Sequence, residues 1–167
     1  MHQGFYNAFL SVEGYMRKNV QDLKALYRDA QVYVTGHALG GALATLAALD
    51  IEELFGTIGD FYSFGQPRVG NEAFSTFFTS KIPKRFRVIH YADIIPHLPP
   101  QVPIPYSHFA NEIWYDEPMQ KYRTCGAEEF TCSKSILPNK WSTTDGDLKY
   151  YAKMPVKSLQ EEFMILE

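Results

Sequence analysis

Apolar and polar residues alternate with a helical period over residues 5–27. The apolar side chains recur at steps of three and four, at Phe5, Phe9, Val12, Met16, Val20, Leu23 and Tyr27. Charged side chains such as Arg17, Lys18 and Asp22 fall on the opposite face. A stripe of this kind is typical of an amphipathic helix that covers a hydrophobic core. We therefore expect one long core-covering helix at this end of the chain.

The pattern then switches between strand and helix. Residues 31–35 are β-branched and aromatic, as strands are, and residues 42–53 are rich in Ala and Leu, as helices are. Further strands are predicted over residues 58–64 and 86–91, with a helix from an Asn71 cap to Phe78 between them. This order of elements predicts an α/β fold, in which helices cover a parallel sheet.

The remaining third of the chain is less regular. A proline-rich loop runs to Pro105, and residues 108–115 and 121–123 could form an antiparallel pair. A helix is predicted over residues 147–153, and residues 156–167 could form another short one.

The sharpest break between strand and helix is Gly36-His37-Ala38-Leu39-Gly40. It fits the G-x-S-x-G frame of a nucleophile elbow, except that Ala38 stands where the serine belongs. We expect Gly36 and Gly40 to lie where a side chain would collide with a neighbouring element, and Ala38 to take a strained backbone conformation. The alternative is an ordinary glycine-rich turn, such as one that holds phosphate, but the P-loop residues and the full G-x-G-x-x-G pattern are missing.

Asp93 comes directly after a predicted strand. Open α/β sheets bind their ligands at the carboxyl ends of the strands, so this position suits chemistry. Taken alone, however, an aspartate here is better explained as a turn or cap residue.

Composition and charge narrow the class of protein. The chain has 167 residues, of which 46% are hydrophobic and 21% charged, with a net charge of −3. These values suit one globular domain. Because no long basic run is present, we expect no nucleic-acid partner. No apolar run is long enough to span a membrane, and no signal-peptide pattern is visible after Met1. Nothing in the sequence indicates a cofactor.

The two cysteines, Cys125 and Cys132, bracket the polar stretch CGAEEFTC. Such a pair is typical of a local disulfide in an oxidising compartment. Two unrelated free thiols are the alternative. A metal site is not expected, because no second Cys or His pair lies nearby.

Four motifs occur together in a fixed order. They are HQGF at residues 2–5, VTGHALGGALA at 34–44, GQPRVG at 65–70 and ADIIPHLPP at 92–100. In this combination the chain, over roughly residues 2–151, closely resembles the class 3 lipases, the fungal-type triacylglycerol lipases of the α/β-hydrolase fold. The resemblance implies a mostly parallel sheet with helices on both faces and an ester-hydrolysing Ser-Asp-His triad. It also implies acylglycerol substrates, a possible lipid–water interface and secretion, which agrees with a disulfide.

The resemblance assigns three of the site positions directly. Ala38 occupies the nucleophile position, Asp93 matches the triad acid, and the backbone N–H of Leu39 would form one half of the oxyanion hole.

The histidine position has two possible alignments. In the family the histidine precedes a Tyr-aromatic pair, and alignment on Tyr150-Tyr151 places that position at Asp147, which we prefer. Alignment on Asp145 places it at Gly146 instead. Neither alignment supplies an imidazole.

The resemblance also implies strands and a lid before the HQGF motif, and this chain begins after them. We expect residues 1–167 to form a single domain that is incomplete at its N-terminal side, with the elbow strand at a sheet edge. Without the nucleophile and the base, we expect this lipase-family chain to be catalytically inactive, so that its standing as an enzyme is uncertain. It is either a disarmed lipase or a natural pseudoenzyme that binds lipid or a protein partner, and both explanations stay open at this point.

Overall fold

The first helix is present, but most of its apolar stripe is not buried. The structure is a computed structural model that describes residues 1–56, 58–147 and 150. Helix α1 runs from Gln3 to Leu26, and His2 caps it by accepting a hydrogen bond from the Phe5 N–H. Within α1 the buried residue is Phe9, whereas Val12 and Leu23 are about half exposed. The expectation of a core-covering helix is confirmed for the inner part of the stripe, because Phe5, Phe9, Met16 and Val20 belong to the core clusters or pack against them.

The sheet has the predicted α/β character. The strands are β1 (Val34–His37), β2 (Phe61–Phe64), β3 (Gly70–Asn71), β4 (Arg85–His90), β5 (Tyr106–Ser107), β6 (Glu112–Tyr115) and β7 (Tyr122–Cys125). Among the described residues, five of these strands form the main sheet in the order β1-β2-β4-β6-β7, and the pairings are parallel except for the antiparallel β6–β7 pair. β1 lies at the edge of the sheet, as expected, and β3 pairs with β5 in a small separate ribbon.

Among the described residues, three further α-helices follow. They are α2 (Leu39–Phe55), α3 (Glu72–Lys81) and the short α4 (Thr144–Asp147). The predicted cap is confirmed, because the Asn71 Oδ1 accepts a hydrogen bond of 3.1 Å from the Phe74 N–H. The helix predicted over residues 147–153 overlaps α4 at Asp147, whereas residues 148–149 and 151–153 and the short helix predicted at 156–167 lie outside the described residues.

The hydrophobic core lies between the sheet and these helices. Phe61 of β2 packs edge-on against Phe78 of α3 and against Phe109, with ring centroids 5.3 and 5.9 Å away. A second cluster joins α1 to α2 through Phe9 and Leu46. The packing fixes β1, β2 and β4 side by side, so the residues that follow these three parallel strands meet at one edge of the sheet.

Within the described residues, no helix combines the length and the apolar composition needed to cross a membrane.

Candidate active site

The turn between β1 and α2 has the backbone of a nucleophile elbow. β1 ends at His37 and α2 begins at Leu39, so Ala38 alone makes the connection. Its backbone angles are φ 48° and ψ −120°. A residue with a side chain adopts such angles at a cost of about 1–3 kcal/mol. The predicted strained conformation at the apex is confirmed.

Gly36 is the glycine that this turn requires. A Cβ at Gly36 would lie 2.2 Å from the Gly40 carbonyl oxygen and 2.7 Å from the Gly41 nitrogen, and backbone atoms cannot move aside. The same expectation for Gly40 was wrong, because a Cβ built there meets nothing within 4 Å. Gly41 is the tighter position on the helix side, where a Cβ would lie 3.1 Å from the Gln66 Cβ.

The first turn of α2 presents backbone N–H groups beside the apex. Leu39 is the first residue of α2, and the first N–H groups of a helix have no carbonyl partner within it. The Ala38 carbonyl accepts hydrogen bonds from the N–H groups of Gly41, at 3.0 Å, and Ala42, at 3.3 Å, which fixes the direction of the turn. An N–H at the Leu39 position can stabilise negative charge that develops on an ester oxygen.

Asp93 follows β4 at the same edge of the sheet and is fully buried. Its Oδ2 accepts a hydrogen bond of 2.7 Å from the Tyr150 hydroxyl, and its Oδ1 accepts one of 2.9 Å from the Ile95 N–H. The Tyr150 oxygen in turn accepts a hydrogen bond of 2.9 Å from the His90 N–H. Burial raises the pKa of the Asp93 carboxyl, and these hydrogen bonds offset part of the rise. Burial and the nearby Asp93 also raise the pKa of Tyr150 well above its ordinary value.

The backbone at Gly146 lies directly against the Asp93 carboxyl group. A Cβ at Gly146 would be 2.6 Å from the Asp93 Oδ1, and a Cβ at Gly65, after β2, would be 2.7 Å from the Oδ2. The Gly146 carbonyl accepts a hydrogen bond of 2.7 Å from the His37 Nε2, and His37 is the neighbour of Ala38. The residues predicted from the sequence thus gather at one place, except that nothing is described of the Asp147 side chain, which follows at the end of α4.

Three histidines have the Nε2 atom against a backbone carbonyl. His37 meets the Gly146 oxygen, His90 the Glu117 oxygen at 3.0 Å, and His108 the Pro96 oxygen at 2.7 Å. A carbonyl only accepts hydrogen bonds, so each of these Nε2 atoms carries the proton. Burial lowers the pKa of His108 well below its ordinary value. These contacts give the three rings structural roles.

Sequence reasoning missed the buried network around Arg68. The Arg68 guanidinium donates to both carboxylate oxygens of Glu128, at 2.8 and 3.1 Å, and to the carbonyls of His97 and Pro99. The network therefore holds the loop that follows Asp93. Arg68 stands in the GQPRVG motif, but the motif alone does not reveal its partner, which lies 60 residues further along the chain.

Cys125 and Cys132 form the predicted disulfide. The loop that they close carries Glu128, so this bridge restrains the partner of Arg68. Among the described residues, no group of three or more His, Cys, Asp or Glu side chains is arranged to hold a metal ion.

Comparisons with known proteins agree with this geometry. The family model for lipase (class 3) matches residues 1–102. The chain is 38% identical over 146 residues to a lipase of Rhizomucor miehei, and the aligned part covers 83% of this chain and 40% of that protein. It is 39% identical over 116 residues to the secreted mono- and diacylglycerol lipase 1 of Fusarium solani, covering 70% of this chain and 34% of that protein.

A solved lipase structure is also similar to this chain. Lipase II from Rhizopus niveus superposes with a TM-score of 0.81 at 32% identity, covering 87% of this chain and 56% of that one. The chain therefore spans between a third and somewhat over half of the length of these relatives. The fold is that of an α/β-hydrolase, with a mostly parallel sheet packed against helices. The chain belongs to the class 3 lipase family.

Proposed function

We propose that this protein recognises ester lipids of the acylglycerol class and does not hydrolyse them at an appreciable rate. The observation that carries the proposal is the methyl group of Ala38 at the apex of an intact, strained elbow. In the family reaction this position supplies the oxygen that attacks the ester carbonyl. A methyl group has no nucleophilic atom, so no acyl-enzyme can form there.

The proton transfers of the reaction also lack their base. A histidine takes the proton from the nucleophile and later gives one to the leaving alcohol, while the acid orients the imidazole. At the two candidate positions the chain has Gly146 and Asp147, and neither side chain is an imidazole. Loss of the nucleophile or of the base alone lowers turnover on the order of a million-fold in a triad hydrolase.

The substrate class comes from the relatives. The Fusarium solani protein is named a secreted mono- and diacylglycerol lipase, and the Rhizomucor miehei protein a lipase. We infer that this chain meets the same kind of lipid at a lipid–water interface, outside the cell. The Cys125–Cys132 disulfide supports an oxidising compartment. We further propose that residues 1–167 belong to a single α/β-hydrolase domain.

A disarmed lipase is the second candidate. A single Ser-to-Ala exchange removes a nucleophile while leaving the elbow intact, and the buried Asp93 is still in place. The pseudoenzyme is better supported, because the base is missing as well and the Gly146 backbone packs closely on the Asp93 carboxyl group. A change made only to trap substrate would leave the histidine where it was.

The experiment measures binding and hydrolysis on the same protein. Fluorescence of the two tryptophans, Trp114 and Trp141, would follow titration with a short-chain diacylglycerol below its aggregation limit. Release of fatty acid at constant pH would be recorded in parallel, with an active class 3 lipase as the reference. We expect saturable binding with no release above the background. Release at the rate of the reference would contradict the loss of catalysis, and absence of binding would contradict the lipid ligand.

A further inference from the structure

The loop at residues 98–105, called the prolyl loop below, presents an unusually apolar surface. Six of its eight residues are exposed, and all six are apolar: Leu98, Pro100, Val102, Pro103, Ile104 and Pro105. Val102 is 78% exposed and Ile104 is 57% exposed. Single exposed apolar residues are ordinary, but a contiguous run of them is typical of a binding surface.

The segment around the prolyl loop carries no formal charge. From Ile94 to Ser107 there is no Asp, Glu, Lys or Arg. The one histidine in this stretch, His97, is buried against Trp141, and burial lowers its pKa to about 4. It is therefore neutral at physiological pH. A loop without charged side chains of its own matches a neutral lipid interface better than a charged protein surface, because none of its side chains is an ion that has to leave water.

The backbone of the prolyl loop also suits a poorly hydrated environment. Half of its residues are prolines, at positions 99, 100, 103 and 105, and these have no N–H to lose water. The Leu98 N–H already donates to the Ile95 carbonyl at 3.0 Å. Removing the loop from water therefore leaves few hydrogen-bond donors without a partner.

The prolyl loop is held in place before any ligand arrives. The Leu98 carbonyl accepts a hydrogen bond of 2.7 Å from the Arg68 N–H, and the Arg68 guanidinium binds the Pro99 carbonyl at 2.9 Å. Lys134 donates to the Gln101 side chain at 3.0 Å, and the Tyr106 N–H donates to the Ile104 carbonyl. A surface fixed in this way loses little conformational entropy on binding.

Helix α1 offers a comparison within the same molecule. Its Leu26 is 75% exposed, about as much as Val102. Lys24 and Arg28, both charged, lie within two residues of Leu26. The exposed apolar residues of α1 thus have ions beside them in the sequence, whereas the cations nearest the prolyl loop, Arg68 and Lys134, come from other segments and donate hydrogen bonds to it.

We propose that the prolyl loop is the element that inserts into a lipid–water interface, with Val102 and Ile104 as its anchors. The loop begins after the short 3-10 turn Ile95–His97, just past Asp93. A lipid surface at the loop thus lies beside the edge of the sheet that carries the elbow. The inference rests on the proposed function, because it names the surface through which the same site would meet its lipid.

The test compares matched charge insertions in the intact protein. Val102→Asp and Ile104→Asp place a carboxylate on the prolyl loop, and Leu26→Asp places one on α1 at similar exposure. Partition onto neutral phosphatidylcholine vesicles containing diacylglycerol would be measured by flotation. We expect each loop variant to partition about tenfold or more weakly, since burying one such side chain is worth at least that factor, while Leu26→Asp partitions like the unchanged protein. Circular dichroism would check that all variants are folded.

The outcomes separate the two proposals. Loop variants that partition normally, or a Leu26→Asp variant that is equally impaired, would overturn the role of the prolyl loop. Failure of the unchanged protein to partition would also overturn it, and would favour a protein partner for this surface. Binding of dispersed short-chain diacylglycerol, measured separately, tests the proposed function. If the protein does not bind the dispersed diacylglycerol but still partitions onto vesicles, the proposed function is contradicted and the role of the prolyl loop is not.

Discussion

The elbow and the acid cluster lie at the same edge of the sheet, yet they keep their structure for different reasons. At the elbow, a strained backbone at Ala38 persists although the methyl group gains nothing from it. Around Asp93, each carboxylate oxygen has a hydrogen-bond partner, and Tyr150 and Gly146 pack against it. The strained backbone of the elbow is unfavourable and is held in place by the surrounding fold. The contacts around Asp93 themselves stabilise the fold.

This difference indicates why neither region needs a catalytic side chain to keep its structure. The elbow is set by the backbone, because Gly36 approaches the Gly40 carbonyl so closely that only glycine fits. Because these contacts involve backbone atoms, the geometry does not require a nucleophile at position 38. Asp93 ties the strand that ends at His90 to Tyr150, whether or not an imidazole is present. Retention of either feature is therefore no sign of catalysis.

The largest effect is expected from Gly36→Ala. Its Cβ would press on backbone atoms at 2.2 and 2.4 Å, so β1 and α2 could not join in their present geometry. We expect a loss of at least about 3 kcal/mol in the free energy of unfolding, measured by urea denaturation. Gly40→Ala is the control and should cost nothing or add slightly to stability, because its Cβ meets open space. Equal losses in both variants would contradict the assigned role of Gly36.

The next largest loss of stability is expected from Asp93→Ala. It removes the acceptor for the Tyr150 hydroxyl and for the Ile95 N–H, both in buried surroundings. We expect a loss of about 2–3 kcal/mol, which is less than the full cost of two hydrogen bonds because a desolvated carboxyl group is removed as well. Asp93→Asn keeps the size and one acceptor oxygen, and should lose about half as much. An Asp93→Ala protein as stable as the unchanged one would mean that the acid is not a structural residue.

His97 provides a pH-dependent test of the loop that follows the acid. Its pKa is about 4 in the folded protein and about 6.5 in an unfolded chain. Between these values the unfolded state binds more protons, so the free energy of unfolding should rise from pH 4 to pH 6.5 and then level off. The contribution is about 3 kcal/mol. His97→Phe keeps a ring against Trp141 and should flatten this rise, leaving the part due to His108. An unchanged slope would show that His97 is not the titrating group.

The smallest effect is expected at the apex itself. Ala38→Gly relieves a positive φ of 48° but gives the unfolded chain more freedom. Since the strain is the larger of the two effects, we expect a gain of about 0.5 kcal/mol, seen as a small rise in the melting temperature. A clear loss of stability would mean that Ala38 is not strained in solution.

Local patterns in the sequence predicted much of this structure. The spacing of Gly36 and Gly40 predicted the elbow, Asn71 predicted the start of α3, and the two short runs before Cys125 predicted the β6–β7 pair. Each of these signals depends on neighbours along the chain.

What the sequence did not predict depends on contacts across the fold. The stripe of α1 predicted burial, but burial also requires a neighbouring element, and Val12, Leu23 and Tyr27 of the stripe stay exposed. The contact of Gly146 with Asp93 and the pairing of Arg68 with Glu128 join distant segments. Gly40 looked equivalent to Gly36 by spacing alone, although its Cβ would point into open space.

The central claim is that an intact elbow lacks only its chemical groups. We would measure release of a chromogenic alcohol from a short-chain ester in the full-length protein, comparing Ala38→Ser alone with Ala38→Ser combined with Asp147→His or with Gly146→His. We predict that the single variant stays nearly inactive, that the Asp147→His pair recovers measurable hydrolysis, and that the Gly146→His pair does not, because its Cβ would meet the Asp93 Oδ1 at 2.6 Å. High activity from Ala38→Ser alone, or none from the folded Asp147→His pair, would contradict this account.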